Sequence, residues 1–126
     1  MDMPTSAPDT LDLRDFGAVE VREAELQGYS ATFLHLKERM DMTPMLRGLP
    51  GDICPCPHWG IVTDGAMTVR YADHEERVTS GSVFYMPPGH VPVYDEGTRL
   101  IFFSPSDEMR KVNDVIEANA QALRPA

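Results

Sequence analysis

Residues 81–90 read Gly-Ser-Val-Phe-Tyr-Met-Pro-Pro-Gly-His, and this stretch carries the clearest signal of the fold. Ser80-Gly81 predicts a turn, Val83 to Met86 is a short apolar run typical of a strand, and Pro87-Pro88-Gly89 bends the chain again. Short strands divided by glycine, proline and aspartate recur on both sides of it. This spacing predicts an all-β protein, either a sandwich or a barrel.

The same pattern extends from Val19 to Phe103. Asp64-Gly65 has the composition of a tight turn between two strands. Residues 42–57 carry four prolines, which exclude a helix there and suit extended or loop structure. Besides Val83 to Met86, we predict strands at Val19 to Leu26, Tyr29 to Lys37, Trp59 to Thr63, Ala66 to Tyr71, Glu76 to Thr79, Val91 to Tyr94 and Arg99 to Phe103.

The sequence pattern changes from strands to a helix near the end of the chain. Ser104-Pro105-Ser106-Asp107 predicts a helix start with Ser104 as the cap and Pro105 in the first turn. Apolar residues then recur at helical spacing, which predicts a helix lying against the outside of the barrel; they are Met109, Val112, Ile116 and Leu123. We therefore expect one domain, with a disordered lead over residues 1–10, a barrel over 11–104 and a helix over 105–126.

Composition limits the partners and the location of the protein. The 126 residues carry a formal net charge of −9, which repels phosphate backbones and disfavours nucleic-acid binding. The apolar runs are too short to span a bilayer, and residues 1–10 lack the basic and apolar regions of a signal peptide. We expect a cytoplasmic protein that binds no membrane and takes a small molecule as its partner.

The region from Gly51 to Pro105 resembles the cupin superfamily, a double-sheet β-barrel or jelly roll. The second cupin motif reads Gly, five residues, Pro, any residue, Gly, two residues, His. Gly81, Pro87 and Gly89 match it, but Pro92 stands at the expected histidine and His90 lies two positions earlier.

The first cupin motif matches in spacing rather than in residue type. When its glycine is aligned with Gly65, His58 falls at the position of the usual glutamate, and Cys54 and Asp52 fall at those of the two histidines. The chain thus resembles a variant branch of small bacterial cupins with Cys-x3-His and Pro-Pro-Gly-His motifs. This resemblance implies the fold and, commonly, a homodimer. It does not imply one reaction, because cupins host many chemistries.

Strand geometry groups the residues that could carry chemistry. Alternate side chains of a strand share a face, so Cys54, Cys56 and His58 are expected to point the same way. By the same alternation His90 shares a face with Tyr94, whose hydroxyl we consider for proton transfer or substrate orientation.

Two interpretations of this cluster remain open. In the first, Cys54, His58 and His90, with Cys56 as a weaker candidate, bind a divalent metal ion. Thiolate and imidazole favour zinc, while iron, nickel, copper and cobalt remain compatible, and Asp52 or Glu96 could add an oxygen ligand. In the second, the histidines are hydrogen-bonded in an apolar pocket that binds no metal, and the cysteines pack as small hydrophobic residues.

Three functional hypotheses follow. The first is a metal-dependent enzyme for a small organic molecule, with isomerase, lyase and dioxygenase chemistry all open. The second is a non-catalytic module that binds or senses a small molecule or a metal. The third is a structural barrel that works through a partner. We also expect a homodimer, with Val19 to Leu26 and Tyr29 to Lys37 as candidate pairing strands.

Overall fold

The structure, a computed structural model, describes residues 3–123. Two antiparallel sheets and one long helix, α1 (Ser106–Ala122), make up the fold. Short 3-10 helices span Pro8–Thr10, Thr43–Leu46 and Pro50–Asp52. The strands are β1 (Arg14–Asp15), β2 (Val19–Leu26), β3 (Tyr29–Leu36), β4 (Met40–Asp41), β5 (His58–Asp64), β6 (Ala66–Arg70), β7 (Glu75–Thr79), β8 (Val83–Met86), β9 (Val91–Tyr94) and β10 (Arg99–Pro105).

The two sheets face each other across one apolar core. Sheet A has the order β1-β2-β3-β10-β5-β8, and sheet B has the order β4-β9-β6-β7. Neighbouring strands are antiparallel throughout, and β10, the last strand in the chain, is inserted between β3 and β5. Fully buried side chains from both sheets fill the space between them, including Leu36, Val62, Met67 and Leu100. The expected double-sheet jelly roll is confirmed.

The predicted strands agree with the observed ones to within two residues at each end. Val19–Leu26, Val83–Met86 and Val91–Tyr94 have the predicted bounds. The strand predicted to end at Phe103 continues to Pro105, because β10 stays paired with β3 as far as the Pro105–Tyr29 position.

Helix α1 differs from the prediction in its start and in its place. It begins at Ser106, with Pro105 at the cap position, and Ser104 belongs to strand β10. Its buried residues Met109 and Val112 join the core cluster. Near the C-terminal end of the helix, Asn119 donates hydrogen bonds to the carbonyl oxygens of Met45 and Arg47, at 2.7 and 2.8 Å. The helix is therefore a wall of the barrel interior and not a layer on its outer surface.

Two ends of the predicted domain lie partly outside the described residues. Residues 1 and 2 of the expected disordered lead and residues 124–126 of the expected helix fall there. Arg22 donates hydrogen bonds to the carbonyl oxygens of Pro8, in the lead, and Leu11, just after it, at 3.0 and 2.9 Å. Among residues 3–123, no helix is both long enough and apolar enough to cross a membrane.

The turn after β5 depends on a glycine. Gly65 has a φ of +75°, and a Cβ atom placed on it would lie 2.7 Å from Oγ1 and 2.8 Å from Cα of Thr98. Thr98 is fully buried, and its hydroxyl lies within donating distance of the carbonyl oxygens of Ala66 and Asp95, at 2.8 and 2.7 Å. The close approach of Gly65 to Thr98 thus ties the β5–β6 turn to the loop before β10.

We expect Gly65→Ala to destabilise the fold more than Gly97→Ala. Both residues have positive φ, so each substitution costs about 1–2 kcal/mol of backbone strain. Only Gly65 also meets a buried neighbour, which adds about 1–3 kcal/mol of overpacking. Urea unfolding followed by circular dichroism measures both free energies. Equal losses in the two variants would contradict the role given to the Thr98 contact.

Candidate metal centre

Cys54 and His58, four residues apart, meet the distant His90 inside the barrel. One ligand atom from each of Cys54, His58 and His90 lies within 4.8 Å of the other two, and all three residues are buried. They are the three residues that the sequence singled out as the main candidates. Within residues 3–123, they form the only such cluster of three or more histidine, cysteine or carboxylate side chains.

Backbone hydrogen bonds bring the two motifs together. Cys54 forms an isolated antiparallel bridge with His90, in which Cys54 N donates to the His90 carbonyl at 3.1 Å. Gly89 N donates back to the Cys54 carbonyl at 2.8 Å. Cys54 and His90 therefore stand directly opposite each other, as residues on paired strands do.

The His90 ring is oriented by one backbone acceptor. Its Nδ1 lies 2.7 Å from the Pro87 carbonyl oxygen, which can only accept a hydrogen bond. Nδ1 must therefore carry the proton, and Nε2 presents a lone pair. That Nε2 atom is buried and has no hydrogen-bond partner in the described structure.

The His58 ring is oriented by a side-chain hydroxyl. Its Nδ1 lies 2.6 Å from Oγ of Ser104, and its Nε2 lies 3.7 Å from Sγ of Cys54. Phe102 packs against the ring, with 4.6 Å between the centroids. When the Ser104 hydroxyl oxygen accepts a hydrogen bond from Nδ1–H, Nε2 of His58 also turns a lone pair toward Cys54.

Burial favours the uncharged form of all three side chains of the cluster. It lowers the pKa of His58 to about 3, with a smaller contribution from nearby His90. The pKa of His90 is also lowered, chiefly by burial, although its bond to the Pro87 carbonyl opposes the shift. The same desolvation raises the pKa of the Cys54 thiol to about 11. Both imidazoles are therefore neutral near pH 7, which is the form that binds metals.

Cys56 does not join the three residues. Burial alternates as predicted, with Cys54, Cys56 and His58 all buried, but the Cys56 thiol lies outside the group of ligand atoms. The Cys56 thiol instead points to the Pro57 carbonyl, at 3.5 Å, and burial raises its pKa to about 12. Asp52 and Glu96 are also outside the cluster, and the Asp52 carboxylate accepts a hydrogen bond from Gly48 N at 3.0 Å.

Tyr94 lies where the alternation of β9 predicted. Together with His90 and Pro92 it lines a cavity next to the cluster, which is described below. Burial, with the nearby Cys54 thiol, raises the pKa of Tyr94 well above its usual value. Its hydroxyl is therefore held protonated, which suits a hydrogen-bond donor better than a base.

A cavity of about 350 Å³ opens from the cluster toward helix α1. Strands of both sheets and the helix enclose it, and its surface is mostly apolar. The main wall residues are Val21, Leu34, Leu36, Met40, Met42, Leu46, Phe102, Met109, Val112 and Ile116.

Polar side chains that the sequence did not single out also line this cavity. Arg14 on β1 pairs with Glu117 on the helix and, at 3.5 Å, with Glu23 on β2. Asn113 donates to Glu23 at 3.1 Å. No local signal could have grouped these residues, since Arg14 and Glu117 are 103 positions apart. Thr32 also lines the cavity, and strand alternation on β3 could have identified it as a polar member of the inward-facing row.

Comparison with known proteins gives a consistent result for the fold. A model of the AraC-like ligand binding domain matches residues 57–95. A search of curated proteins finds no significant match.

Solved structures resemble the chain over most of its length. A Rhizobium leguminosarum protein of unknown function has a TM-score of 0.59 at 16% identity, with 82% of this chain and 97% of that one covered. An RmlC-like cupin from Shewanella frigidimarina has a TM-score of 0.56 at 17% identity, covering 79% and 88%. KdgF from Halomonas has a TM-score of 0.52 at 18% identity, covering 79% and 92%. These likenesses concern the fold.

We expect Ser104→Ala to destabilise the protein by about 1–3 kcal/mol, because it leaves the buried Nδ1 of His58 without a partner. Ser30→Ala is the matched control: Ser30 is also buried and pairs with Ser104, but its hydroxyl makes only a 3.4 Å contact with Ser106. Denaturant unfolding of both variants gives the comparison. A loss in Ser104→Ala no larger than in Ser30→Ala would show that the His58 hydrogen bond adds nothing.

Proposed function

We propose that this chain, which has the fold of a small cupin domain, binds a divalent metal ion through Cys54, His58 and His90 and a small organic molecule in the adjoining cavity. The observation that carries the proposal is the convergence of the three ligand atoms within 4.8 Å in a buried site. A thiol and two imidazoles at this separation match the ligand types and the scale of a transition-metal site.

The hydrogen bonds around the histidines support this donor set. Histidines that bind metals usually donate their other ring N–H to a fixed acceptor, which sets the tautomer and the ring orientation. The Pro87 carbonyl does this for His90, and the Ser104 hydroxyl is placed to do it for His58. A metal ion would also give the orphaned Nε2 of His90 the partner that it lacks.

The donor set favours zinc. One thiolate and two imidazoles suit tetrahedral zinc, and iron, nickel, copper and cobalt are also compatible with them. Three protein ligands leave a position for a water molecule or substrate, which is typical of catalytic rather than structural zinc sites. A metal ion bound here would supply Lewis-acid chemistry, polarising a carbonyl or carboxylate oxygen of the bound molecule.

The surrounding residues have separate roles in this proposal. The apolar walls exclude water and bind the carbon skeleton of the ligand. Tyr94 presents a protonated hydroxyl at the cavity wall, so it orients the bound molecule by donating a hydrogen bond. Zinc is compatible with isomerase or lyase chemistry, whereas dioxygenase chemistry would need a redox-active ion such as iron, nickel, copper or cobalt at the same ligands.

A second candidate function is a non-catalytic module that binds a small molecule without metal. The neutral, buried state of His58 and His90 and the raised thiol pKa of Cys54 are compatible with a metal-free apolar pocket. The match to a family model described as a ligand binding domain supports binding in either case. Metal content distinguishes the two functions.

We expect near-stoichiometric metal in the untagged protein and at least a tenfold loss of affinity in His58→Ala, His90→Ala and Cys54→Ser, because each removes one donor. Inductively coupled plasma mass spectrometry measures the content, and competition with a chelator measures the affinity. Cys56→Ser is the matched control, since this thiol lies outside the cluster.

Circular dichroism checks that each variant keeps its β-type spectrum. Parent protein that takes up no zinc, iron, nickel, copper or cobalt would overturn the metal proposal in favour of the second candidate function. A larger loss in Cys56→Ser than in Cys54→Ser would show that the wrong cysteine had been assigned.

We also propose that the protein forms a homodimer through sheet A. An outer aromatic row crosses this sheet; each member exposes 41–53% of its surface, and the members are Tyr29, Trp59, Tyr85 and Phe103. Trp59 is paired with Phe103 on one side and Tyr85 on the other, and β8 at the sheet edge adds exposed Val83. An apolar patch of this kind is typical of a protein–protein contact.

The free thiols of Cys54 and Cys56 fit a reducing location such as the cytoplasm.

We expect Trp59→Lys to convert a dimer into a monomer, because it places a charge at the centre of the outer aromatic row. Light scattering coupled to size-exclusion chromatography at micromolar concentration measures the mass. Leu13→Lys, at another exposed apolar residue outside the row, is the control. A monomeric parent protein would contradict the homodimer.

A further inference from the structure

We propose that the cavity selects an apolar monocarboxylic acid of about ten to twelve non-hydrogen atoms, with its carboxylate beside Thr32 and its hydrocarbon tail directed toward helix α1. This inference deepens the proposed function and rests on the metal site at Cys54, His58 and His90. Four observations support it: an unpaired hydroxyl, an apolar wall, the cavity size and the charges at the two ends.

The unpaired hydroxyl belongs to Thr32. This residue is 2% exposed, its Oγ1 atom has no hydrogen-bond partner, and it lines the cavity. It lies on β3 directly opposite Phe102, whose ring packs on His58. A buried hydroxyl without a partner is costly to the fold. A ligand oxygen bound beside Cys54, His58 and His90 would accept a hydrogen bond from this hydroxyl and remove that cost.

The wall beyond Thr32 is suited to a hydrocarbon chain. From the cluster to the helix it is formed by leucine, valine, isoleucine and methionine side chains, and the flexible methionines can pack around a range of shapes. Polyols and sugars would lose hydrogen bonds to water there without gaining others. The ligand class is therefore apolar over most of its length.

The cavity volume sets the size of the ligand. A water molecule occupies about 30 Å³ in the liquid, so the 350 Å³ cavity accommodates about a dozen non-hydrogen atoms. Octanoate, with ten, fills most of this space with one carboxylate and a seven-carbon tail.

The charges at the two ends favour one carboxylate and disfavour a second. A divalent ion held by one thiolate and two neutral imidazoles would have a net charge of +1, which would attract a single anionic head. At the far end, the cation of Arg14 is shared by the carboxylates of Glu23 and Glu117, so that cluster has a net charge of −1. A second carboxylate on the ligand tail would meet a negative rim whose only cation is already paired.

The test uses isothermal titration calorimetry of zinc-loaded protein with octanoate, octanedioate and gluconate. We expect one molecule of octanoate to bind per chain, at least tenfold more tightly than octanedioate, and no binding of gluconate. Thr32→Val, which replaces the hydroxyl with a methyl group of similar size, should weaken octanoate binding by about tenfold. Thr32→Ser, which retains the hydroxyl, should stay within about threefold of the parent.

A variant at the helix tests where the tail lies. Ile116→Trp should fill the cavity beside the tail, abolish octanoate binding and leave the zinc content unchanged. Should this variant fail to fold, the Thr32→Val and Thr32→Ser pair still tests the position of the carboxylate.

The outcomes separate this inference from the metal proposal. Stoichiometric zinc with no octanoate binding, or with equal binding of octanoate and octanedioate, overturns the ligand class and leaves the metal site standing. Protein without zinc overturns the metal site. In that case octanoate binding that Thr32→Val weakens would still support the cavity as an apolar-acid site.

Discussion

The pair of backbone hydrogen bonds that joins Cys54 to residues 89 and 90 is the interaction on which the candidate centre depends. It connects the proline-rich loop before β5 to the bend before β9, two segments that belong to no regular sheet at that point. Without it, the thiol and the His90 imidazole would be attached to independent loops. With it, both are positioned by the barrel, and His58 completes the group from the first residue of β5.

The rest of the site follows from burial. Each imidazole has one nitrogen bound to a neighbour, the Pro87 carbonyl or the Ser104 hydroxyl, and the other nitrogen turned inward. Because charging these rings in the apolar interior is costly, they stay neutral and available as ligands. The barrel thus supplies both the dry environment and the orientation, and only a few polar atoms remain to act on a bound molecule.

The sequence predicted the strands well because turns and short apolar runs are local signals. It also identified Cys54, His58 and His90, since motif spacing reflects positions in a fold. Cys56 shows the limit of local reasoning: it is buried like Cys54 and His58, as alternation predicts, yet its thiol lies outside the group of ligand atoms. The polar residues at the far end of the cavity, such as Arg14 and Glu117, meet only through tertiary packing, and helix amphipathicity alone could not tell a barrel wall from an outer layer.

The position of β10 has a consequence for how the chain reaches this structure. β3 and β5 are neighbours of β10 and not of each other, so sheet A remains two separate halves until residues 99–105 enter between them. The wall formed by α1 follows later still. Since synthesis proceeds from the N-terminus, the interior cannot close before almost all of the described chain has left the ribosome. Folding should therefore be a late, single cooperative event, slowed by the long loops that must close first.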